Sequence, residues 1–161
     1  MSLADNGKVW TSPNHNIRKP GTVITTVVMH ASAGKSDRAD LTWLCDPASK
    51  VSYHCLITRD GQSHHLVDAK RRAWHAGVAE WKGQKDVNAV SLGLSFSNRH
   101  DQTEMLTASQ IATAKDVIRE WKRRIPTLTD VVTHAMIAPE RKMDPNHCPN
   151  YFHADFADLC K

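Results

Sequence analysis

Two histidines close apolar stretches of this chain at positions where a metal site could form. His30 ends one apolar run, and His134 ends a β-branched run that begins at Val131. A polar loop follows His134 and carries Lys142 and Asp144. Two neutral imidazoles and a carboxylate, with a fourth position left to water, form a common catalytic zinc site. These residues therefore suggest hydrolysis. The alternative is that each is an ordinary histidine at a strand end, because no compact metal-binding motif joins them.

The strands that would carry these histidines follow from runs of apolar and β-branched residues. We predict strands at 23–30, 51–58, 63–67, 91–96 and 130–134. Asp60-Gly61, between the second and third of them, indicates a hairpin. Histidines at the carboxyl ends of buried strands lie where open α/β sheets bind their ligands.

Capping residues and helical spacing predict the helices between these strands. Ser36 can cap a short helix. Thr107 and Gln110 fit a capping box, and the apolar stripe that follows them ends at Pro126. We also predict a C-terminal helix over residues 151–160. Strands alternating with helices, plus one hairpin, indicate an α/β fold with a central mixed β-sheet flanked by helices.

Length and composition predict one domain over residues 1–161, with an N-terminal extension at 1–20 and a core at 21–161. The first residues lack the basic and apolar regions of a secretory signal, and no apolar run could span a bilayer. We therefore expect synthesis in the cytoplasm without a signal peptide. The four cysteines show no C-x-x-C pairing and are expected to be reduced thiols.

The charge balance bears on the kind of partner. Lysine and arginine number 21 against 17 aspartates and glutamates, for a net charge of +4. An excess of positive charge favours an anionic partner surface, such as a bacterial envelope. The sequence contains no helix-turn-helix, RNP or zinc-finger pattern, so we expect no nucleic-acid partner.

Several strings, in order along the chain, resemble the type 2 N-acetylmuramoyl-L-alanine amidases. This family includes phage lysozyme-type amidases, muropeptide-recycling amidases and peptidoglycan recognition proteins. The strings are V-V-M-H (27–30), V-S-Y-H-C-L-I-T-R-D-G (51–61), A-W-H-A-G (73–77), N-A-V-S-L-G-L (88–94) and H-A-M-I-A-P-E-R-K-M-D-P (134–145).

The resemblance implies a peptidoglycan-binding groove with Zn²⁺ at its floor. It also implies cleavage of the amide between N-acetylmuramic acid and L-alanine. By position in the family motifs, the zinc ligands would be His30, His134 and Asp144. Lys142 would face the developing oxyanion, as a cation held beside a tetrahedral intermediate does.

Two departures from the family patterns affect these assignments. Recycling amidases carry a glutamate base where this chain has Ser95, and phage-type amidases carry a tyrosine at the position of Tyr53. Tyr53 is therefore a candidate catalytic residue, with packing in the strand as the alternative. In other branches of the family a cysteine is the third ligand, and Cys148 is the alternative to Asp144.

The string around His75 is expected to line the groove. His75, Trp74 and Asn88 are the candidate substrate-binding residues. Together these features predict a monomeric phage-type endolysin that acts on the cell wall or periplasm. A cytosolic muropeptide-recycling amidase and a non-catalytic peptidoglycan-binding module are the alternatives.

Overall fold

The computed structural model describes residues 9–161. Its strands, in chain order, are β1 (His15–Ile17), β2 (Thr26–Ala31), β3 (Cys55–Ile57), β4 (Ser63–His65), β5 (Arg71–Ala73), β6 (Ser91–Phe96) and β7 (Asp130–Thr133). The α-helices are α1 (Asp37–Leu44), α2 (Val87–Val90), α3 (Ala108–Arg124) and α4 (His134–Ile137). None of the helices in this range combines the length and hydrophobicity required to cross a bilayer.

The main sheet has five strands in the order β4-β3-β6-β2-β7. Strands β3, β6, β2 and β7 are parallel neighbours, and β4 pairs with β3 in the antiparallel direction. The predicted α/β fold with a central mixed sheet is therefore confirmed. Because the four parallel strands run together, their carboxyl ends meet at one edge of the sheet.

Side chains alternate between the two faces of this sheet. One face packs against α3 and holds the largest core cluster, to which β6 contributes Leu92, Leu94 and Phe96. The predicted capping box at Thr107 and Gln110 is present at the start of α3. Because Met29 and Ala31 of β2 also belong to this cluster, alternation directs His30 to the other face of the sheet.

The opposite face of β6 carries small residues, Ser91, Gly93 and Ser95, all within a fully buried strand. A Cβ atom added at Gly93 would lie 2.7 Å from Cγ of His75, which is closer than real Cβ contacts come. Glycine is therefore required here for space. The alternation of small residues leaves room for imidazole rings against the sheet.

The predicted strands are present but shorter than expected at β2, β3, β4 and β7. The structure confirms the hairpin between β3 and β4, where Gly61 has a φ of +83°. Strand β7 ends at Thr133, whose hydroxyl caps α4, so His134 is the first residue of a helix. The imidazole consequently projects from the boundary between a strand and a helix.

The predicted helix over residues 151–160 is wrong. The structure has a single 3-10 turn, His153–Asp155, with no side-chain cap at its start. Tyr151 and Phe156 stack with ring centroids 5.3 Å apart, and both are buried in the α3-side core together with Cys160. So short a segment is marginal as a helix, and docking these apolar side chains in the core takes precedence.

The chain before residue 21 packs on the rest of the domain where the structure describes it. Strand β1 pairs with β5, and Trp10 is buried. The Arg18 guanidinium donates to the carbonyl oxygens of Ala69, Asn88, Ala89 and Ser91. Burial lowers the pKa of Arg18 to about 10. The part of the expected extension at residues 1–8 lies outside the described residues.

Gly93→Ala should destabilise the protein, because the added methyl group overlaps the His75 ring. We expect a loss of about 1–3 kcal/mol in the free energy of unfolding, measured by urea denaturation. In a His75→Ala background the same change should cost much less, since the ring is gone. Equal costs in both backgrounds would contradict the steric explanation.

Candidate metal centre

Three side chains bring their ligand atoms together at the carboxyl edge of the sheet. Nδ1 of His30 lies 3.1 Å from Nδ1 of His134. The Asp144 carboxylate approaches each nitrogen to 3.1 Å, through Oδ2 at His30 and Oδ1 at His134. All three residues are buried, and their ligand atoms lie within 4.8 Å of one another. We call these three residues the metal centre.

The metal centre fits a tetrahedral zinc ion in both spacing and chemistry. Zinc–nitrogen and zinc–oxygen bonds of about 2.0–2.1 Å place neighbouring ligand atoms about 3.3–3.4 Å apart. The observed separations of 3.1 Å are close to this value. Two ring nitrogens and a carboxylate cannot all direct lone pairs at each other unless a proton or a cation lies among them. Their convergence therefore favours a cation.

Strand register brings the two histidines to the same level. His30 lies opposite Ser95 of β6, and the preceding residue, Met29, lies opposite Thr133 of β7. His134 follows Thr133 directly, so it emerges beside His30. Two residues that are distant in sequence become neighbours because β2 and β7 are adjacent and parallel.

A loop after α4 positions the third side chain. The backbone N–H of Ala135 donates to the Asp144 carbonyl oxygen at 3.2 Å. Arg141 donates to the carbonyl oxygens of Ala76 and Val78 at 2.8 and 2.9 Å, which ties the loop to the chain after β5. These contacts hold the Asp144 carboxylate against the two imidazoles.

The ring of His134 is oriented by a backbone carbonyl. Its Nε2 lies 3.0 Å from the Ala76 oxygen. A carbonyl oxygen can only accept, so Nε2–H donates and Nδ1 keeps its lone pair for a metal. Such a bond from the second ring nitrogen is the usual support of a zinc-ligating histidine.

Electrostatics keep the metal centre in the protonation state that a metal needs. Burial lowers the pKa of His30 to about 4, so this ring is neutral near pH 7. Burial raises the pKa of the Asp144 carboxyl, but the proximity of His134 and His30 outweighs it and holds that pKa well below its usual range. Metal binding at neutral pH therefore needs no costly deprotonation of His30 or Asp144.

Tyr53 packs against the metal centre. Its ring centroid lies 4.9 Å from that of His30, and its hydroxyl lies near Ser95. Burial and the negative charge of Asp144 raise the pKa of Tyr53 above its ordinary value. The phenol is therefore protonated at neutral pH and can act as a hydrogen-bond donor, but not as a base.

Lys142 lies between Arg141 and Met143 in the same loop as Asp144 and is partly exposed. Its charge is close enough to contribute to lowering the pKa of His30. A partly exposed cation beside buried ligands is available to a substrate. Its expected position facing an oxyanion stays a prediction.

The expected substrate-binding residues occupy different environments. His75 is buried, with Nδ1 2.9 Å from Nε2 of His30, so its ring contacts a residue of the metal centre, and its contact with substrate stays a prediction. Asn88 is also buried, and its side-chain oxygen accepts from the backbone N–H groups of His75 and Ala76. Its contact with substrate likewise stays a prediction. Trp74 is partly exposed and donates to Asn16, and its contact with substrate stays a prediction.

Cys148 is not part of the metal centre in the structure. Its side chain belongs to the apolar cluster on the α3 face of the sheet. Burial raises the pKa of the thiol to about 12, so the thiolate that zinc prefers is disfavoured. The geometry favours Asp144 over Cys148 as the third ligand.

Sequence reasoning missed two buried polar residues, Ser91 at the start of β6 and Asp40 in α1. Ser91 bonds with His75 at 3.2 Å. Asp40 of α1 is buried, and it accepts from the hydroxyls of Ser32, at 2.7 Å, and Ser97. Burial raises the pKa of Asp40. The alternation Ser91, Gly93, Ser95 was a visible signal that the residues opposite need space, but the partner of Asp40 depends on tertiary packing alone.

Comparison with known proteins agrees with this geometry. The 1,6-anhydro-N-acetylmuramyl-L-alanine amidase AmpD of Citrobacter freundii is 37% identical over 111 residues, which are 68% of this chain and 57% of that protein. The crystal structure of a Se-Met AmpD derivative superposes with a TM-score of 0.75 at 30% identity, covering 91% of this chain and 89% of that one. The chain spans a little over half the length of the curated AmpD relatives it matches.

A second structural relative has been solved with a bound muropeptide. The N-acetylmuramyl-L-alanine amidase AmiD from E. coli, in complex with the substrate anhydro-N-acetylmuramic acid-L-Ala-D-gamma-Glu-L-Lys, has a TM-score of 0.70 at 27% identity. The match covers 80% of this chain and 55% of that one. The sequence profile described as N-acetylmuramoyl-L-alanine amidase matches residues 20–147, which include the whole metal centre. The chain belongs to this N-acetylmuramoyl-L-alanine amidase family.

Proposed function

We propose that the protein is a zinc-dependent amidase that cleaves the bond between the lactyl group of N-acetylmuramic acid and L-alanine. The observation that carries the proposal is the buried convergence of His30, His134 and Asp144 at the carboxyl edge of the sheet. Membership of the amidase family supports the reaction class. In this hydrolysis water adds to the amide carbonyl carbon, the C–N bond breaks, and a proton ends on the amine of L-alanine.

We further propose that the substrate is a soluble 1,6-anhydro muropeptide rather than the intact cell wall. AmpD relatives named for that substrate support the proposal, as does the anhydro muropeptide in the AmiD complex. The endolysin interpretation reached from the sequence lacks this support. It relied on Tyr53, on the serine at position 95 and on a positive charge suited to an anionic envelope, and none of these features fixes the size of the substrate.

The chemistry divides among few side chains. A bound zinc ion would polarise the scissile carbonyl and lower the pKa of a water molecule to near 7. His30, His134 and Asp144 would hold the ion and leave one position open. Lys142 would offset negative charge that develops on the carbonyl oxygen. Tyr53, which keeps its proton, would donate a hydrogen bond to substrate or water.

The experiment that tests the function combines metal removal with two substrates. The protein should contain one zinc per chain, lose activity with a chelator, and regain it when zinc is added. Release of L-alanine-terminated peptides should be at least about tenfold faster from anhydro muropeptides than from purified sacculi. Full activity in metal-free protein would contradict the zinc proposal. Preference for sacculi would restore the endolysin interpretation.

The third ligand can be identified by a pair of substitutions. Asp144→Ala should reduce zinc affinity by at least about 100-fold, because it removes the anionic ligand of the centre. Cys148→Ser serves as the control and should leave zinc content near one per chain, since its side chain lies in the core. Zinc affinity is measured by competition with a chelating dye. Loss of zinc in Cys148→Ser with retention in Asp144→Ala would reverse the assignment.

Tyr53→Phe should lower kcat by about 10–100-fold while leaving zinc content unchanged, because a hydrogen-bond donor beside the reacting carbonyl is lost. Tyr151→Phe is the matched control. Tyr151 is as buried as Tyr53, but its hydroxyl bonds with His153, outside the metal centre. Both variants should lose similar stability, and only the first should lose turnover. Wild-type kcat in Tyr53→Phe would show that the tyrosine only packs.

A further inference from the structure

We propose that His75 and Ser91 form a hydrogen-bond relay that determines which nitrogen of His30 is free to bind a metal. The relay consists of the Val87 carbonyl, the Ser91 hydroxyl, the His75 ring and the His30 ring. The inference rests on the proposed zinc site, and it assigns to His75 and Ser91 a positioning role in that site.

The direction of each bond in the relay follows from its fixed end. The Val87 carbonyl oxygen can only accept, so the Ser91 hydroxyl donates to it at 2.6 Å. Because its only proton is donated to Val87, the Ser91 oxygen accepts from Nε2–H of His75 at 3.2 Å. A neutral His75 then has a lone pair on Nδ1.

That lone pair orients the ligand. Nδ1 of His75 lies 2.9 Å from Nε2 of His30, so His30 donates Nε2–H to it. A neutral His30 consequently carries its lone pair on Nδ1. This is the atom that lies 3.1 Å from both Nδ1 of His134 and Oδ2 of Asp144. The relay therefore selects the tautomer that the metal centre requires.

Two other arrangements are disfavoured. A neutral His75 protonated at Nδ1 would direct the lone pair of Nε2 at the Ser91 oxygen, whose proton is donated to Val87. A doubly protonated His75 would be a buried cation. If His75 were protonated on both nitrogens, it would donate to His30 and Ser91 and drive His30 to the wrong tautomer. The groups packed on its ring are His30, Ser91, Gly93 and His54, whose ring centroid is 5.9 Å away. None of these is an acid, and burying an unpaired cation is costly.

The two histidine ligands thus have different kinds of support. His134 donates to a backbone carbonyl oxygen, which has no proton and is therefore always an acceptor. His30 donates to Nδ1 of His75. In a neutral His75 this atom can accept only when the proton is on Nε2, and the Ser91 oxygen keeps it there by accepting Nε2–H. Asn88 fixes the backbone of His75, and Gly93 leaves the space for its ring. Substitution of a side chain can therefore disable the support of His30 but not that of His134.

Two substitutions at His75 test the relay. His75→Asn places its side-chain oxygen near the position of Nδ1 and keeps an acceptor for His30, whereas His75→Leu removes it. We expect His75→Leu to weaken zinc binding about 10–100-fold and His75→Asn to remain within about threefold of wild type. Affinity is measured on metal-free protein by competition with a chelating dye. Equal affinities of His75→Leu and wild type would overturn the proposal.

A matched pair of serine substitutions tests the first step of the relay. Ser91→Ala should weaken zinc binding by about 3–10-fold, because His75 can then adopt either tautomer. Ser52→Ala is the control: Ser52 is equally buried and makes two hydrogen bonds, with Asn14 and Trp74, but contacts no ligand. It should leave zinc affinity unchanged. Equal losses in the two variants would overturn the proposal.

Ring ¹⁵N NMR of the metal-free protein provides a readout that does not depend on zinc. His30 should be protonated at Nε2 in wild type and in His75→Asn, and it should show a mixture of tautomers in His75→Leu. Protonation of wild-type His30 at Nδ1 would overturn the relay. Failure of wild type to bind zinc would contradict the proposed function instead, and the tautomer would still decide the relay. If His75→Leu does not fold, Ser91→Ala and the wild-type spectrum suffice.

Discussion

A buried imidazole must have a partner for each ring nitrogen, and this constraint shapes the carboxyl edge of the sheet. Three imidazoles and one carboxylate share that space. Nε2 of His134 is satisfied by a carbonyl, and Nε2 of His30 by His75. The nitrogens that remain, both Nδ1, converge on Asp144. A candidate metal centre results because the fold already engages the other nitrogen of each ring.

The sheet supplies the space for this arrangement by using its two faces differently. On β6, large apolar side chains pack against α3, whereas Ser91, Gly93 and Ser95 face the imidazoles. The apolar face contributes most of the burial that stabilises the domain. The small residues on the other face bury less apolar area. They let the imidazole rings lie directly against the strand, whose backbone is held by hydrogen bonds on both sides. Ligands built on strands are thereby more rigid than ligands built on loops alone.

Much of this structure could be predicted from the sequence because it depends on local patterns. Strand β6 and the capping box of α3 follow from alternation and from Thr107-x-x-Gln110. The neighbouring positions of His30 and His134 follow from strand ends in a parallel sheet. The partner of His75 could not be predicted, since A-W-H-A-G contains no sign that the ring points inward. The 151–160 segment was mistaken for a helix because its core anchors happen to have near-helical spacing.

The environment of Tyr53 also limits how protons can be handled. Recycling amidases carry a carboxylate at the position of Ser95, and a serine there cannot take up a proton at neutral pH. Tyr53, near that serine, retains its own proton because burial and Asp144 raise its pKa. His75 cannot replace the base, since both of its ring nitrogens are committed to Ser91 and His30. In the proposed reaction Tyr53 and Lys142 would therefore offer the carbonyl a hydrogen-bond donor and a cation, and neither would take up a proton. A bound zinc ion, which lowers the pKa of its water to near 7, would supply hydroxide without a separate carboxylate base.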